Sequence, residues 1–150
     1  MENITQEELP PKNEVYLFIK LSEHQKQLYK EILCKVLSAG AEFTTNKNNY
    51  LNILMQFRQI CNHPYLLTGM GDKNAPDFAV NLIKNSSKMI VLDKLLEKLY
   101  KEKRQAVIFS EMPNMLKILE QYCGHKNYKV TLFFLERSKI LIMYVVLYDE

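Results

Sequence analysis

A chain of 150 residues, 47% hydrophobic and 25% charged, is long enough for one domain with a sizeable core and has the composition of an ordinary soluble globular protein. Its net charge of +3 is compatible with a nucleic-acid partner but does not argue for one. Three cysteines, Cys34, Cys61 and Cys123, are odd in number and form no CxxC pair; they support neither a disulfide framework nor a zinc ribbon, and favour a reducing interior.

The N-terminal MENITQEELPPK is polar and acidic, unlike a signal peptide, and Pro10-Pro11 makes residues 1–13 an extended loop. EVYLFIKL at 14–21 places Val15, Leu17, Ile19 and Leu21 at period two, which predicts a strand. Ser22 with Gln25 three residues on forms a capping box for a first helix. Its apolar stripe is Leu28, Ile32 and Val36, widened by Tyr29, Leu33 and Leu37, and Gly40 is its expected stop. TTNKNN at 44–49 reads as a polar loop.

A second helix is predicted from Tyr50 to Cys61, with Leu51, Leu54, Phe57 (or Arg58) and Cys61 at helical spacing. Pro64 ends it, because the residue before a proline avoids the helical region. Residues 68–86, rich in Gly, Asn, Asp and Pro, read as an exposed connecting loop. A third helix follows Ser86-Ser87, capped by serine, with Met89, Leu92, Leu96 and Leu99 inward. AVIFS at 106–110 is a continuous apolar run of the kind buried on both faces of a parallel sheet. Pro113 suits the first turn of a fourth helix, with Met115, Ile118, Leu119 and Tyr122 buried and Gly124 as its stop. A candidate strand begins at Tyr128. Helix, strand, helix, strand is the rhythm of an open α/β sheet. ILIMYVVLY at 140–148 is only half a membrane span, so no membrane is expected.

The residues most suggestive of chemistry lie in LMQFRQICNHPYLL at 54–67. Cys61 and His63 are two positions apart, and two ligands do not close a tetrahedral zinc shell. A cysteine–histidine nucleophile needs the imidazole at the sulfur, but positions 61 and 63 diverge by about 200° on a helix. The expected role is a structural corner. Cys61 is then a small apolar residue, Asn62 and His63 hydrogen-bond the bare carbonyls at the helix end, and Pro64 turns the chain. Ser110 and Glu111 follow the AVIF strand, where ligands collect in α/β sheets. The Ser110 hydroxyl suits a phosphate and Glu111 would repel one; equally, both could only cap the next helix. Lys98, Lys101, Lys103 and Arg104 form a basic cluster offset by Glu97 and Glu102, a solvated face or a phosphate contact. His24 is expected to be exposed, and Cys34 and Cys123 to be core.

Four ordered segments carry a resemblance: LPPKNEVYLFIKLSEHQKQLYKEIL, LNILMQFRQICNHPYLL, NSSKMIVLDKLLEKL and QAVIFSEMPNMLKILEQYC. Together, across about residues 9–128, they resemble the Swi/Snf-type superfamily-two helicase-like ATPases, and within them the imitation-switch chromatin remodellers. The resemblance implies an α/β fold, a partial RecA-like second lobe preceded by a helical connector. Residues 1–21 would leave lobe one, 22–67 form the connector, 68–86 an exposed loop, and 87–150 the start of lobe two. It also implies a fragment of a nuclear, ATP- and magnesium-dependent DNA translocase acting on nucleosomes, with Lys88, Arg104 and Ser110 facing DNA.

Glycines at 40, 69, 71 and 124 belong to no GxxxxGK[ST] loop, and no DEAH-like acidic box is present. With the first lobe and the arginine-finger motif expected to be missing, the chain is not expected to hydrolyse ATP alone. After residue 128 the sequence departs from the family pattern: VTLFFLERSKILIMYVVLYDE reads as a truncated gene product, a shifted frame, a divergent ending or simply two more strands. The rival functional reading is a stand-alone helical interaction module, with helices 22–37 and 50–61 binding a partner and no nucleotide chemistry.

Overall fold

The computed structural model describes residues 11–39, 47–72, 75–135 and 140–146. Residues 1–10 of the loop expected at 1–13 and the helix stop expected at Gly40 fall outside them. Helix α1, Glu23–Ser38, starts with the predicted box: the Ser22 hydroxyl accepts from the Gln25 N–H at 3.1 Å, and Gln25 Oε1 accepts from the Ser22 N–H at 3.0 Å. Helix α2, Lys47–Asn62, takes in positions 47–49 of the expected polar loop. It ends before His63, as the following proline requires. Pro64 itself is helical and leads into the single turn α3, Tyr65–Thr68. Gly69, at φ +82°, closes that turn, a conformation costly for any residue with a Cβ.

The remaining elements are α4 Phe78–Lys84, α5 Ser87–Lys101, β1 Ala106–Ser110, α6 Pro113–His125, β2 Lys129–Leu135 and β3 Ile140–Val146. Pro113 occupies the first turn of α6, where its missing N–H is no loss. α5 and α6 both end with a left-handed residue after the cap, Lys103 at φ 53° and Asn127 at φ 56°. The N–H groups of Arg104 and Tyr128 reach back to the carbonyls of Leu99 and Cys123, both at 2.9 Å, so each end is a Schellman motif. Gly124, the expected stop, is an ordinary helical residue one turn too early.

Two cores result. α1 and α2 enclose Ile32, Ile53 and Ile60, with Leu28, Val36, Phe57 and Leu67 around them, and Tyr29 packs on Phe57 with ring centroids 4.3 Å apart. The larger core joins Phe78 and Leu82 of α4, Met89 and Leu96 of α5, six residues of α6 and Met143 and Val145 of β3. Several expectations need correction here. The inward face of α2 is Ile53–Phe57–Ile60, not Leu51–Leu54–Cys61; Leu51 and Leu54 are exposed. On α1, Leu33, Leu37 and Cys34 are exposed, while Cys123 is buried as expected. In both helices two stripes satisfy the 3.6 period, and packing selects one. The loop expected at 68–86 contains α4, whose Phe78 and Leu82 are core residues. Residues 14–21 form no strand with any described residue, and Phe18 is 99% exposed.

The sheet also differs from the parallel one expected. Its order is β1-β3-β2, and both outer strands run antiparallel to β3. Ala106 and Val130 both lie opposite Val145. β1 and β2 therefore run parallel to each other, are joined by α6, and hold β3 between them. α6 covers one face. β1 is half-buried on that face alone: Val107 and Phe109 are 48% and 66% exposed on the other. This alternation is what an antiparallel sheet with one open face shows. Among the described residues no element covers the second face, and an apolar run cannot report which neighbours the chain supplies.

Candidate functional site

The corner at His63 is a junction of four helices built from buried polar groups. Gln25 is fully buried. Its Oε1 accepts from the N–H of Ser87 at 3.2 Å as well as that of Ser22, and its Nε2 donates to the carbonyls of Ile60 at 2.7 Å and Cys61 at 3.4 Å. Both donors and both acceptor positions of the amide are thereby used. One side chain caps the start of α1, the end of α2 and the start of α5. Ser86 donates to the Asn62 carbonyl at 2.8 Å, and Ser22 donates to the Asn85 carbonyl at 2.7 Å.

His63 is also fully buried. Its Nδ1 accepts from the Tyr65 N–H at 3.1 Å, and its Nε2 lies 2.9 Å from the Leu82 carbonyl. A carbonyl only accepts, so the ring is the neutral tautomer with the proton on Nε2. Burial holds its pKa below the ordinary imidazole range, partly offset by the Leu82 carbonyl.

The expected corner thus has different workers. The bare carbonyls of α2 are met by Gln25 and Ser86, not by Asn62 and His63; His63 serves the end of α4 instead. Ser86 does not cap α5 with its side chain, because its hydroxyl is spent on Asn62. Cys61 is only half-buried.

Beside this junction lies a cleft of about 310 Å³ lined by Arg58, Asn62, Lys88, Ser110, Glu111 and Met112 among others. Of the residues expected to face DNA, Lys88 and Ser110 share this cleft. Lys88 Nζ donates to Asn62 Oδ1 at 2.7 Å. The Ser110 hydroxyl accepts from the Met112 N–H at 3.2 Å and donates to its carbonyl at 3.3 Å, holding the entry to α6. Glu111 does not cap α6; it pairs with Arg58 of α2. Arg104 is at the opposite end of β1, paired with Glu102 at 3.2 Å. Lys98 and Lys101 pair with Glu102 and Glu97 along α5.

Residue order did not reveal the long-range roles of Gln25 and Ser86, nor the Arg58–Glu111 pair. The one available signal was an amide with four hydrogen-bonding positions of which the capping box uses only one.

Elsewhere, Tyr122 donates to Asp93 at 2.8 Å and Lys126 pairs with the same carboxylate at 2.7 Å. Burial, with Asp93 second, pushes the Tyr122 phenol far upward, and burial pushes the Cys123 thiol to about 12, so neither ionises near neutrality. Among the described residues no three His, Cys, Asp or Glu side chains converge as metal ligands. No helix among them is long and apolar enough to cross a membrane.

Residues 1–66 match the SNF2-related domain family. The chain is 42% identical over 126 residues to the SWI/SNF-related matrix-associated actin-dependent regulator of chromatin subfamily A member 1 of Homo sapiens, and 44% identical over 126 residues to the ISWI chromatin-remodeling complex ATPase ISW1 of Saccharomyces cerevisiae. Each match takes in 81% of this chain and 12% or 11% of the relative. It is also 39% identical over 135 residues to chromodomain-helicase-DNA-binding protein 8 of Danio rerio, covering 80% of this chain and 5% of that protein. The chain therefore spans about a tenth or less of the length of these relatives. The family match ends within α3, at the corner between the two cores.

Proposed function

We propose, on the premise that this chain belongs to the SNF2-related family and is of the imitation-switch chromatin-remodelling kind, that it is the connecting region of an ATP-driven DNA translocase. Residues 22–67 are the helical connector, residues 1–21 leave the first motor lobe, and residues 87–150 begin a second, RecA-like lobe. The unit β1–α6–β2, two mutually parallel strands joined by a helix, supports that assignment for the second lobe. β3 belongs to the stretch where the sequence departs from the family pattern, and it occupies the slot between those strands.

The observation that carries the reading is the buried junction. Gln25, His63 and Ser86 tie α1, α2, α4 and α5 by hydrogen bonds from fully buried side chains. A piece that braces two motor lobes has to move as a unit, and satisfied buried polar networks confer that rigidity. Lys88 and Ser110 at the cleft, with Arg104 further along, are the proposed DNA-facing residues. Nucleosomal DNA is the partner and the nucleus the compartment.

ATP and magnesium belong to the intact enzyme, between its lobes. The residues of this chain do not fit such a site: it has no phosphate loop and no acidic box, and no ligand cluster converges among the described residues. No step of hydrolysis is assigned to it. The isolated chain, heated with millimolar ATP and magnesium, is expected to keep its unfolding midpoint; a rise of several degrees overturns this. In a second test, residues 9–128 replace the matching segment of the yeast relative, and DNA-stimulated ATP hydrolysis is retained. A folded chimera without that activity sinks the reading.

A second reading, a stand-alone interaction module, has one observation in its favour: a groove of about 510 Å³ between α1 and α2, lined half by apolar residues such as Ile32 and Ile53 and half by polar ones such as Asn52 and Gln56. It gains if the coding sequence on either side holds neither a GxxxxGK[ST] loop nor the later helicase motifs.

A further inference from the structure

Arg58 projects from the last turns of α2, and Glu111 from the turn between β1 and α6. The two side chains meet in an ion pair at the cleft that also holds Lys88, Asn62 and Ser110. The pair is well exposed, 56% and 66% by side chain. Exposed pairs of this kind exchange readily for another partner of the same charge. Without Glu111, the cleft would present two cations from two different elements, Arg58 and Lys88. Asn62 already holds the Lys88 ammonium at 2.7 Å, which positions one of them. A guanidinium and an ammonium flanking a polar cleft suit a phosphate diester, the guanidinium by its paired N–H groups and the ammonium as a point charge. Glu111 sits where it occupies the guanidinium and repels the anion.

We propose that Arg58 is a second phosphate-binding residue of this cleft, held in reserve by Glu111, and that a phosphate of the DNA backbone binds by taking Arg58 away from that carboxylate. The inference rests on the DNA-facing reading of Lys88 and Ser110 and adds to it both a residue and a built-in competitor. Because Arg58 and Glu111 stand on different elements, exchange also releases an ion pair between α2 and the β1–α6 turn. Occupancy of the cleft is thereby coupled to how these elements are held, and the coupling is reciprocal.

The test is binding of the full chain to a 20-base-pair duplex across a salt series, with Glu111→Gln, Arg58→Gln, the double variant, Lys88→Gln and Glu120→Gln. Glu120 is exposed on α6 outside the cleft, so its variant changes net charge by the same amount as Glu111→Gln. Glu111→Gln is expected to tighten binding about threefold to tenfold and to steepen the salt dependence by about one phosphate contact. Arg58→Gln weakens binding, and in its presence Glu111→Gln loses most of its gain. Glu120→Gln has a smaller effect than Glu111→Gln.

Equal effects of Glu111→Gln and Glu120→Gln, or an undiminished gain in the double variant, overturn the inference. If the parent chain binds with a dependence on Lys88 while Glu111→Gln changes nothing, the DNA-facing reading stands and this inference alone fails. If neither parent nor variants bind, both fail. Inorganic phosphate at millimolar concentration, as competitor, separates a site for free anion from one that needs the polymer. Displacement of the duplex at that concentration counts against a backbone site. Both side chains are exposed, and unchanged circular dichroism confirms that each variant folds.

Discussion

The α1–α2 pair and the α4-to-β3 unit bury apolar surface on very different scales. The first encloses three buried residues, Ile32, Ile53 and Ile60; the second encloses twelve, drawn from three helices and the central strand. Apolar burial is the main favourable contribution to folding, and the first region has far less of it for its two 16-residue helices. The larger unit has the larger core, and the polar junction at Gln25 and His63 ties the smaller one to it. Hydrogen-bond networks of this kind contribute less by their net energy than by the cost of leaving any member unpaired.

That contrast can be broken by experiment. The largest effect is expected from Leu82→Ala, fully buried in the larger core, at about 3 kcal/mol of global stability in urea titration. Ile53→Ala should cost about 2 kcal/mol, and should release amide protection in α1 and α2 first while α5 and α6 stay protected. Exchange in α1 as slow as in α6 would show that the two regions unfold as one and would erase the distinction.

Gln25→Ala is next. It strands the Ile60 carbonyl and the Ser87 N–H, and should cost about 1–2 kcal/mol. A cost near zero would mean that water replaces the amide and that the junction is not what holds the helices to the larger unit.

Acidification tests the same junction without a mutation. The folded-state pKa of His63 lies below the ordinary 6.5, burial being the first cause. The unfolded chain therefore binds more protons as pH falls through about 6.5, and stability present above that pH is lost between it and the lower folded value. The unfolding midpoint should fall from pH 7.5 to 5, and His63→Gln should flatten that part of the profile. An unchanged slope in the variant would assign the loss to other groups.

The smallest effect is Lys103→Gly. Lys103 is left-handed at φ 53°, so glycine should add roughly 0.5–1 kcal/mol, within the larger unit alone.

Local chemistry was legible in residue order. The capping box of Ser22 and Gln25, the end of α2 before Pro64, Pro113 at the start of α6 and the apolar sides of α5 and α6 all follow from short-range rules. Most of what failed depends on a partner distant in sequence. The strand expected at 14–21 has the right period but pairs with no strand among the described residues. On α1 the stripe of Leu28, Ile32 and Val36 does face inward, and only its widening by Leu33 and Leu37 fails; on α2 a second apolar stripe is the one that packs. In 68–86, abundant polar and turn residues hid the short helix whose Phe78 and Leu82 anchor the larger core. At the site, Lys88 and Ser110 come together, yet Arg104 is at the far end of the strand. Arg58, not singled out for chemistry, sits in the cleft.

By itself the sequence determined the capped start of α1, the end of α2 before Pro64 and the proline start of α6, the family to which its four ordered segments point, and the absence of a phosphate loop. Those depend on residues within a turn or two of each other, or on identities alone. Tertiary structure decided which helix face is buried, that β3 enters antiparallel between β1 and β2 with one sheet face uncovered by any described element, and that a capping glutamine becomes the centre of a four-helix junction. Such outcomes are set by competition among distant surfaces for the same apolar area and the same hydrogen-bonding groups, and no local pattern records which of them wins.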